Sequence, residues 1–363
     1  MNISTSKETS VIWESTVSIF STEGYHEGPK LEDIVHEMEI VMEDVFRAIN
    51  AIGAIENFLV CILLYQMRRK DLLAPMPFFL LCQQAFFDCC SAALAFLVSF
   101  DLLHYFEQGD ILNYLACHIW DTSALFTLFY LYSDYNHVLF TSMIFLSIRF
   151  PIYYFTMKKN RSLIMFSFYL LFFSYNFPVF YRLFYDPASH TCIDPWSWDV
   201  NFDFFHIYSY TEVLVDFFIP LMLVIFLNAS IIRHLKSKSL QILSGSESAG
   251  GAGHGSYHGP ELRGEASRSL LKISLALTIS FLLFSTYMTV FEFLVALNIW
   301  HKSFDSLEGN LAILIETASL SINPILILLF LPSLRKQIFL CWTGYSARPA
   351  TFSSSSHSHF TRK

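Results

Sequence analysis

The sequence is poor in charge and lacks the motifs by which many enzymes can be recognised. Charged residues make up 15% of the chain, against about 25% in an average soluble domain. It has no GKS/T phosphate loop, no HExxH zinc motif, no paired CxxC and no internal repeat. The 13 histidines are scattered and show no metal-ligand spacing. These absences argue against an enzyme, and no cofactor is expected.

The N-terminus also lacks the features of a cleavable signal peptide. Residues 1–30 contain no basic start followed by an apolar stretch, so the first apolar segment is expected to direct its own insertion. The net charge is −8, and ten of the 31 acidic residues precede Arg47. An acidic tail, predicted over 1–45, offers no basic surface, so nucleic-acid binding is not expected.

Long apolar runs dominate the rest of the chain, which is 54% hydrophobic overall. A helix needs about 20 mostly apolar residues to cross the hydrocarbon of a bilayer. Seven segments meet this length, at 46–67, 73–100, 117–150, 162–182, 207–234, 268–297 and 309–330. The third is long for one crossing, so it is expected to be tilted or to extend past the membrane.

The predicted fold is therefore an all-α membrane protein, a bundle of seven transmembrane helices over 46–330. Residues 331–363 are predicted to form an amphipathic eighth helix and a disordered cytoplasmic tail. Within the bundle, 237–267 is rich in Gly and Ser around 244–256 and is predicted to be a flexible third cytoplasmic loop.

The distribution of Lys and Arg predicts the orientation in the bilayer. Eighteen of the 23 basic residues fall on one side if the N-terminal tail is outside, and basic residues favour the cytoplasmic side. We therefore expect a multi-pass plasma-membrane protein with an extracellular N-terminus and a cytoplasmic C-terminus.

Several polar residues lie within the predicted spans, where a charged group costs at least about 2.5–3.5 kcal/mol. Asn57, Asp88 and Asn323 are the clearest cases. They predict either hydrogen bonding between helices or a hydrated ion site. Asp134 adds a second acid, with His137 one turn further along. Two carboxylates in one small cavity repel each other, and a sodium ion near Asp88 or a shared proton would relieve that repulsion.

A second group of acids lies toward the predicted outer side. Glu212 and Asp216 are four residues apart and share a helix face, while Glu292 and Glu316 lie in the outer halves of the sixth and seventh spans. The aromatic residues around them are Tyr208, Tyr210, Tyr287 and Phe291. Such a set predicts a site for a cationic ligand, with aromatic walls that supply apolar area and cation–π contact. The alternative is that the acids are paired internally.

The cysteines and sequons predict few modifications. Cys117 and Cys192 lie on the predicted outer side, where disulfides persist, and Cys341 is placed where S-acylation occurs. Asn2 begins a glycosylation sequon, whereas the sequons at Asn160 and Asn228 lie in cytoplasmic or membrane segments and are discounted. Cysteines within the spans are expected to be small apolar residues, namely Cys61, Cys82, Cys89 and Cys90.

Taken in order, a set of residues from Asn57 to Cys341 resembles the rhodopsin-like G-protein-coupled receptor superfamily. The set comprises Asn57 with Val60, Ala85-x-x-Asp88, Cys117-x-x-Trp120, Arg149-Phe150, Cys192, Pro220, Asn323-Pro324 and Leu334-Arg335. The resemblance implies a ligand-operated switch that couples to a heterotrimeric G protein. It further implies a Cys117–Cys192 disulfide, G-protein engagement by Arg149 with Phe150, and a role for Asn323 in rearrangement of the seventh helix.

The chain also departs from that family. Ile148 stands where an acid usually precedes the arginine, so Glu265 is a candidate partner for Arg149. The sixth span lacks Trp-x-Pro, the seventh lacks the tyrosine after Asn323-Pro324, and the Cys117-to-Arg149 spacing is about two turns longer. That spacing and the Ile-Arg-Phe ending resemble invertebrate neuropeptide receptors of the FMRFamide and myosuppressin type and nematode class W serpentine receptors.

Three functions follow from these patterns. The first is a receptor for an extracellular cationic peptide, with an amidated C-terminus as one candidate. The second is a chemosensory receptor for a small molecule. The third is a transporter, which the lack of internal repeats disfavours.

Overall fold

The computed structural model describes residues 31–68, 75–100, 110–121, 123–177, 184–186, 191–193, 207, 210–245, 259–297, 299 and 307–342. The helices are α1 (Leu31–Arg68), α2 (Pro75–Val98), α3 (Asp110–Ala116), α4 (Ala124–Arg149), α5 (Pro151–Lys159), α6 (Arg161–Asn176), α7 (Ile219–Gly245), α8 (Gly259–Ala296), α9 (Leu307–Phe330) and α10 (Pro332–Trp342). Two π-helical segments, Cys117–Asp121 and Val213–Phe218, precede α4 and α7. From Met42 onward, the described residues form one compact unit.

One short hairpin interrupts the helices of the described part. Strand β1 (Phe184–Asp186) pairs antiparallel with β2 (Thr191–Ile193), with Tyr185 opposite Cys192. Cys192 forms a disulfide with Cys117, and their Cα atoms are 5.7 Å apart. The hairpin is therefore joined covalently to the π-helical segment that precedes α4.

Five helical stretches among the described residues are long and apolar enough to cross a membrane: Glu37–Met67, Met76–Val98, Tyr210–Ser237, Arg268–Leu294 and Glu308–Phe330. They coincide with five of the seven predicted spans, so the prediction of a helical membrane protein is confirmed to that extent. α4 has 26 residues, but its centre carries Asp134, Asn136 and His137, which lower its mean hydropathy. α6 is apolar but shorter, with 16 residues.

The third predicted span is not one continuous helix, which corrects the expectation of a single tilted or extended crossing. Ser123 has a φ of 51°, in the left-handed region, which a non-glycine residue seldom adopts. The backbone therefore changes direction between the π-helical segment Cys117–Asp121 and α4. The unusual length of this segment reflects an interruption of the helix.

Two other boundaries differ from the prediction. α1 begins at Leu31 instead of residue 46, because residues 31–45 contain neither Pro nor Gly and include four Glu and two Met, which favour helix. The predicted loop at 237–267 is entered by α7 as far as Gly245 and by α8 from Gly259. Residues 1–30, 246–258 and the predicted tail after Trp342 lie outside the described residues.

The largest apolar core lies in the half of the bundle that contains the C-terminal end of α4. It packs buried residues from α1, α2, α4, α7, α8, α9 and α10 together, among them Leu64, Leu81, Phe140, Ile144, Ile231, Ile273, Ile327 and Leu334. α10 contributes Leu334, while its Arg335 and Lys336 are exposed. The predicted amphipathic helix is therefore present and packs against the bundle by its apolar side.

Candidate functional site

Asp88 on α2 is fully buried and accepts hydrogen bonds from three neutral donors. Its Oδ1 accepts from the Ser133 hydroxyl and from Gln84 Nε2, the latter at 3.3 Å. Its Oδ2 accepts from Asn323 Nδ2 at 3.2 Å. The carboxyl group therefore joins α2 to α4 and to α9, because each of these helices contributes one of the partners.

Further hydrogen bonds extend this cluster to two more helices. Gln84 Oε1 accepts from Asn136 Nδ2 at 2.9 Å, and Asn136 Oδ1 accepts from the Tyr169 hydroxyl of α6 at 3.1 Å. Asn323 Oδ1 accepts from the Ser280 hydroxyl of α8, also at 3.1 Å. We call this set the Asp88 network; its members are Gln84, Asp88, Ser133, Asn136, Tyr169, Ser280 and Asn323.

Asn57 fastens α1 to α9 beside the Asp88 network. Its Nδ2 donates to the carbonyl oxygens of Gly53 at 2.9 Å and Leu320 at 2.7 Å. The backbones approach closely here, since a Cβ added at Gly53 would lie 2.7 Å from the Ser321 hydroxyl oxygen. That hydroxyl donates to the carbonyl of Ile49 at 2.8 Å. Glycine at position 53 therefore permits the contact that Asn57 makes.

The residues around Asp88 do not fit a sodium site as they are arranged. A hard cation needs several oxygen lone pairs directed at it. Here Ser133, Gln84 and Asn323 direct protons toward the carboxyl oxygens. Of the two predicted roles, this donor set favours hydrogen bonding between helices.

Asp134 on α4 lies within electrostatic range of three other predicted acids. Asp134 directly follows Ser133 and interacts electrostatically with Asp88, Asp216 and Glu316. We call Asp134, Asp216 and Glu316 the acid cluster. The Tyr135 hydroxyl donates to the Val215 carbonyl at 2.7 Å and lies 3.5 Å from Asp216 Oδ1.

The remaining predicted ligand residues differ in their neighbours and in their exposure. Glu212 and Asp216 both interact electrostatically with Tyr175 of α6. Glu292 is half-buried, and the preceding Phe291 is buried. Tyr287 is 39% exposed. The Tyr210 ring lies 6.4 Å from the Phe293 ring. Tyr208 lies outside the described residues.

The charge of the helices is strongly unbalanced near the acid cluster. The acids Asp88, Asp134, Glu212, Asp216, Glu292 and Glu316 lie in helical stretches that contain no Lys or Arg, namely 75–98, 124–148, 210–232, 273–296 and 307–330. Buried charges are stable in proteins when opposite charges or hydrogen-bond donors compensate them. A cationic group that entered between these helices would meet an excess of negative charge.

A second cluster, with no acidic member, joins α4, α7 and α8. Asn228 Nδ2 donates to the Thr278 hydroxyl at 3.0 Å, and Asn228 Oδ1 accepts from the Ser274 hydroxyl at 3.0 Å. Thr141 and Ser274 share a hydrogen bond of 2.8 Å, and His137 Nε2 lies 3.1 Å from the Thr278 hydroxyl oxygen. We call these five buried residues the Asn228 cluster.

Arg149, at the C-terminal end of α4, is exposed and contacts α7. Its Nη1 lies 3.1 Å from His234 Nδ1, and its guanidinium lies 5.8 Å from the ring centroid of Phe150, which is 42% exposed. The partner described for Arg149 is thus His234; the side chain of Glu265, which was predicted for that role, lies outside the described residues.

The predicted modification sites are only partly described. The Cys117–Cys192 disulfide is present. Cys341 lies in the last turn of α10, although its side chain is not among those described, and Asn2 lies outside the described residues. Within the bundle, Cys61 and Cys82 form no disulfide, and their sulfur atoms are 3.7 Å apart.

The sequence reasoning missed Gln84, Ser133, Asn136 and Thr278 and treated Asn228 only as a discounted sequon. Helical spacing could have found Gln84, Ser133 and Thr278, since Gln84 precedes Asp88 by four residues. Ser133, His137 and Thr141 also follow each other at intervals of four along α4, as do Ser274 and Thr278 along α8. Polar residues that repeat at this interval within apolar helices mark a face that meets other helices.

A scan against protein-family models gave no match, and neither did a search of curated proteins. The functional inference therefore rests on the residues described above.

Proposed function

We propose that this chain is a seven-helix receptor of the rhodopsin-like G-protein-coupled type, activated by a cationic extracellular ligand, with a neuropeptide as the first candidate. One observation carries the proposal: the acid cluster is directly adjacent to the Asp88 network, because Asp134 and Ser133 are neighbours on α4. A charge that binds at Asp134 therefore acts within one residue of a network that reaches five helices.

The coupling follows from this adjacency. A bound cation would attract Asp134 and shift or rotate α4 locally, which moves the Ser133 hydroxyl relative to Asp88. Asp88 also accepts a hydrogen bond from Asn323 of α9, and Asn323 accepts one from Ser280 of α8. Movement at α4 would therefore change the packing of α8 and α9, whose rearrangement would expose a surface for a G protein.

In this proposal α4 and α6 complete the seven spans, the N-terminus is extracellular and the C-terminus cytoplasmic, in the plasma membrane. Support comes from the five apolar helices and from the bias of Lys and Arg toward one side. Epitope tags at each end of the full chain, stained in intact and in permeabilised cells, test the orientation. If both ends stain in intact cells, the receptor proposal is wrong.

The ligand is tested with a panel of basic amidated peptides and small amines on expressing cells, with calcium and cAMP as readouts. Asp216→Lys or Glu292→Lys should abolish the response, because reversal repels a cation within a low-dielectric site. Glu308→Lys is the matched control, since Glu308 is an exposed acid in the first turn of α9. Equal loss in the control, at equal surface expression, would contradict the proposed ligand site.

A chemosensory receptor for a small cation is the second candidate, and the depth of Asp134 favours it. Asp134 lies ten residues into α4, which is about 15 Å of helix. A small molecule reaches that depth more readily than a folded peptide does. Activation by small amines but by no peptide in the panel would select this candidate.

A further inference from the structure

The hydrogen bonds of the Asn228 cluster have a fixed direction, which follows from counting protons. A hydroxyl group has one proton to donate. Ser274 gives its proton to Asn228 Oδ1, so Thr141 must be the donor to Ser274. The Thr278 hydroxyl has two possible acceptors, the Ser274 carbonyl oxygen at 2.7 Å and His137 Nε2 at 3.1 Å. We infer that it donates to the nearer one and therefore accepts from Asn228 and from His137.

The same count determines the protonation of His137. Because Thr278 accepts from it, His137 Nε2 must carry a proton. In the neutral ring the other nitrogen, Nδ1, is then an acceptor. His137 is 5% exposed, and its Nδ1 is buried without a hydrogen-bond partner among the described residues. A buried acceptor in this condition costs about 1–3 kcal/mol, so the arrangement that leaves it unpaired is destabilised relative to one in which water reaches it.

Two hydrogen bonds of the cluster belong to a regular series that joins α4 to α8. Three hydrogen-bonded pairs set these helices in one antiparallel register: Tyr130 with Ser285, His137 with Thr278, and Thr141 with Ser274. The last two pairs belong to the Asn228 cluster and lie toward Arg149. α8 has neither Pro nor Gly between Arg268 and Ala296, so it has no built-in kink at which one half could move alone.

We propose that the Asn228 cluster is a conformational latch, which holds α8 against α4 and α7 and opens when the Arg268 end of α8 moves away from Arg149. The latch would regulate the proposed receptor, so this inference rests on the proposed function. Opening breaks the bonds of Thr278 and Ser274 together, and it exposes His137 Nδ1 to water.

The decisive variant is Thr278→Val, which keeps the shape of the side chain and removes the hydroxyl; Thr278→Ser keeps the hydroxyl and is the control. Opening is read from alkylation of Ile273→Cys in the purified full-length protein, since Ile273 is 0% exposed. Lys272→Cys, on an exposed neighbour, reports the intrinsic labelling rate. Thr278→Val removes three hydrogen bonds of the Thr278 hydroxyl. It should raise the Ile273→Cys rate by at least about fivefold, which is the effect of a single lost hydrogen bond, whereas Thr278→Ser and the Lys272→Cys rate should not change.

Signalling separates the latch from the proposed function. Thr278→Val should raise ligand-independent signalling about as much as it raises labelling. If labelling rises in Thr278→Val and no variant signals with any ligand, the receptor proposal fails and the latch stands. If labelling does not rise, the latch is wrong, whatever the signalling shows.

A pair of variants at His137 tests the donor assignment without changing Thr278. The amide nitrogen of His137→Gln reaches the position of Nε2, whereas that of His137→Asn reaches the position of Nδ1. Because Nε2 is the donor, His137→Gln should label like wild type and His137→Asn like Thr278→Val. The reverse order would overturn the proton count and, with it, the latch.

Discussion

The Asp88 network and the Asn228 cluster are both buried, and both join helices that are distant in sequence, but they are built differently. In the first, one carboxyl group accepts hydrogen bonds from three different side chains. In the second, neutral groups donate hydrogen bonds in one direction, from Thr141 to Ser274, from Ser274 to Asn228 and from Asn228 to Thr278.

The difference has a physical consequence. Hydrogen bonds to a charged acceptor are stronger than those between neutral groups, and removing one shared acceptor leaves several donors unsatisfied at once. A neutral chain can lose one link and keep the others. The Asp88 network should therefore determine whether the bundle holds together, and the Asn228 cluster should determine which arrangement of α8 is populated.

The largest effect is expected from Asp88→Ala, which leaves the donors of Ser133, Gln84 and Asn323 without their acceptor. The free energy of unfolding should fall by about 2–3 kcal/mol, given about 0.6–1.7 kcal/mol for one polar contact between membrane helices. Unfolding of the detergent-solubilised chain in a denaturing detergent measures it. Asp44→Ala, at an exposed acid that pairs with Arg47, should cost a few tenths of a kcal/mol at most. Equal losses of unfolding free energy in the two variants would show that Asp88 does not hold the network together.

A somewhat smaller loss is expected from Gly53→Leu, which tests whether packing helps to hold the Asp88 side together. A Cβ at this position already meets Ser321, and the rest of the leucine has no room between α1 and α9. Overpacking of this kind costs about 1–3 kcal/mol. Gly53→Ala combined with Ser321→Ala is the control, since the second change removes the oxygen that the new methyl would meet. Unchanged stability in Gly53→Leu would mean that the two helices are not held as closely as described.

Asn228→Leu should cost less, on the order of 1 kcal/mol, because Ser274 and Thr141 can reorient their hydroxyls after the amide is lost. The same unfolding assay applies. The comparison predicts that Asp88→Ala costs at least twice as much as Asn228→Leu. A larger loss in Asn228→Leu would reverse the assignment of the two clusters.

The smallest effect is expected from His234→Ala. His234 contacts Arg149 at an exposed position, where such an interaction contributes a few tenths of a kcal/mol. Stability should therefore be unchanged within about 0.5 kcal/mol. A loss above 1 kcal/mol would place Arg149 and His234 among the residues that hold the bundle together.

The sequence predicted the membrane helices and the main polar residues better than it predicted the partners of those residues. Hydropathy located five helices that are long and apolar enough to span a membrane, because transfer of apolar side chains into lipid depends on composition more than on neighbours. Asp88 and Asn323 were singled out because a polar group in a span needs a partner, and they do meet.

Other features depend on three-dimensional neighbours and could not be predicted. The spacing of Ser133 indicates a polar helix face, but the partners of Ser133 and Asn136 depend on the rotation of α4, which places them beside Asp88 and Gln84. The interruption at Ser123 has no Pro or Gly to mark it. His234 is not an acid, so the missing acid at Ile148, which points to an acidic partner for Arg149, does not lead to it.

If the proposed latch opens while the hydrogen bond between Tyr130 and Ser285 persists, that bond is the fulcrum about which α8 turns. From Ser285 the helix extends seven residues to Thr278 and seventeen to Arg268, about 10 Å and 25 Å at about 1.5 Å per residue. A straight lever of these proportions multiplies displacement about 2.5-fold. A separation of about 2 Å, enough to break the bonds at Thr278, therefore carries the far end of α8 about 5 Å outward.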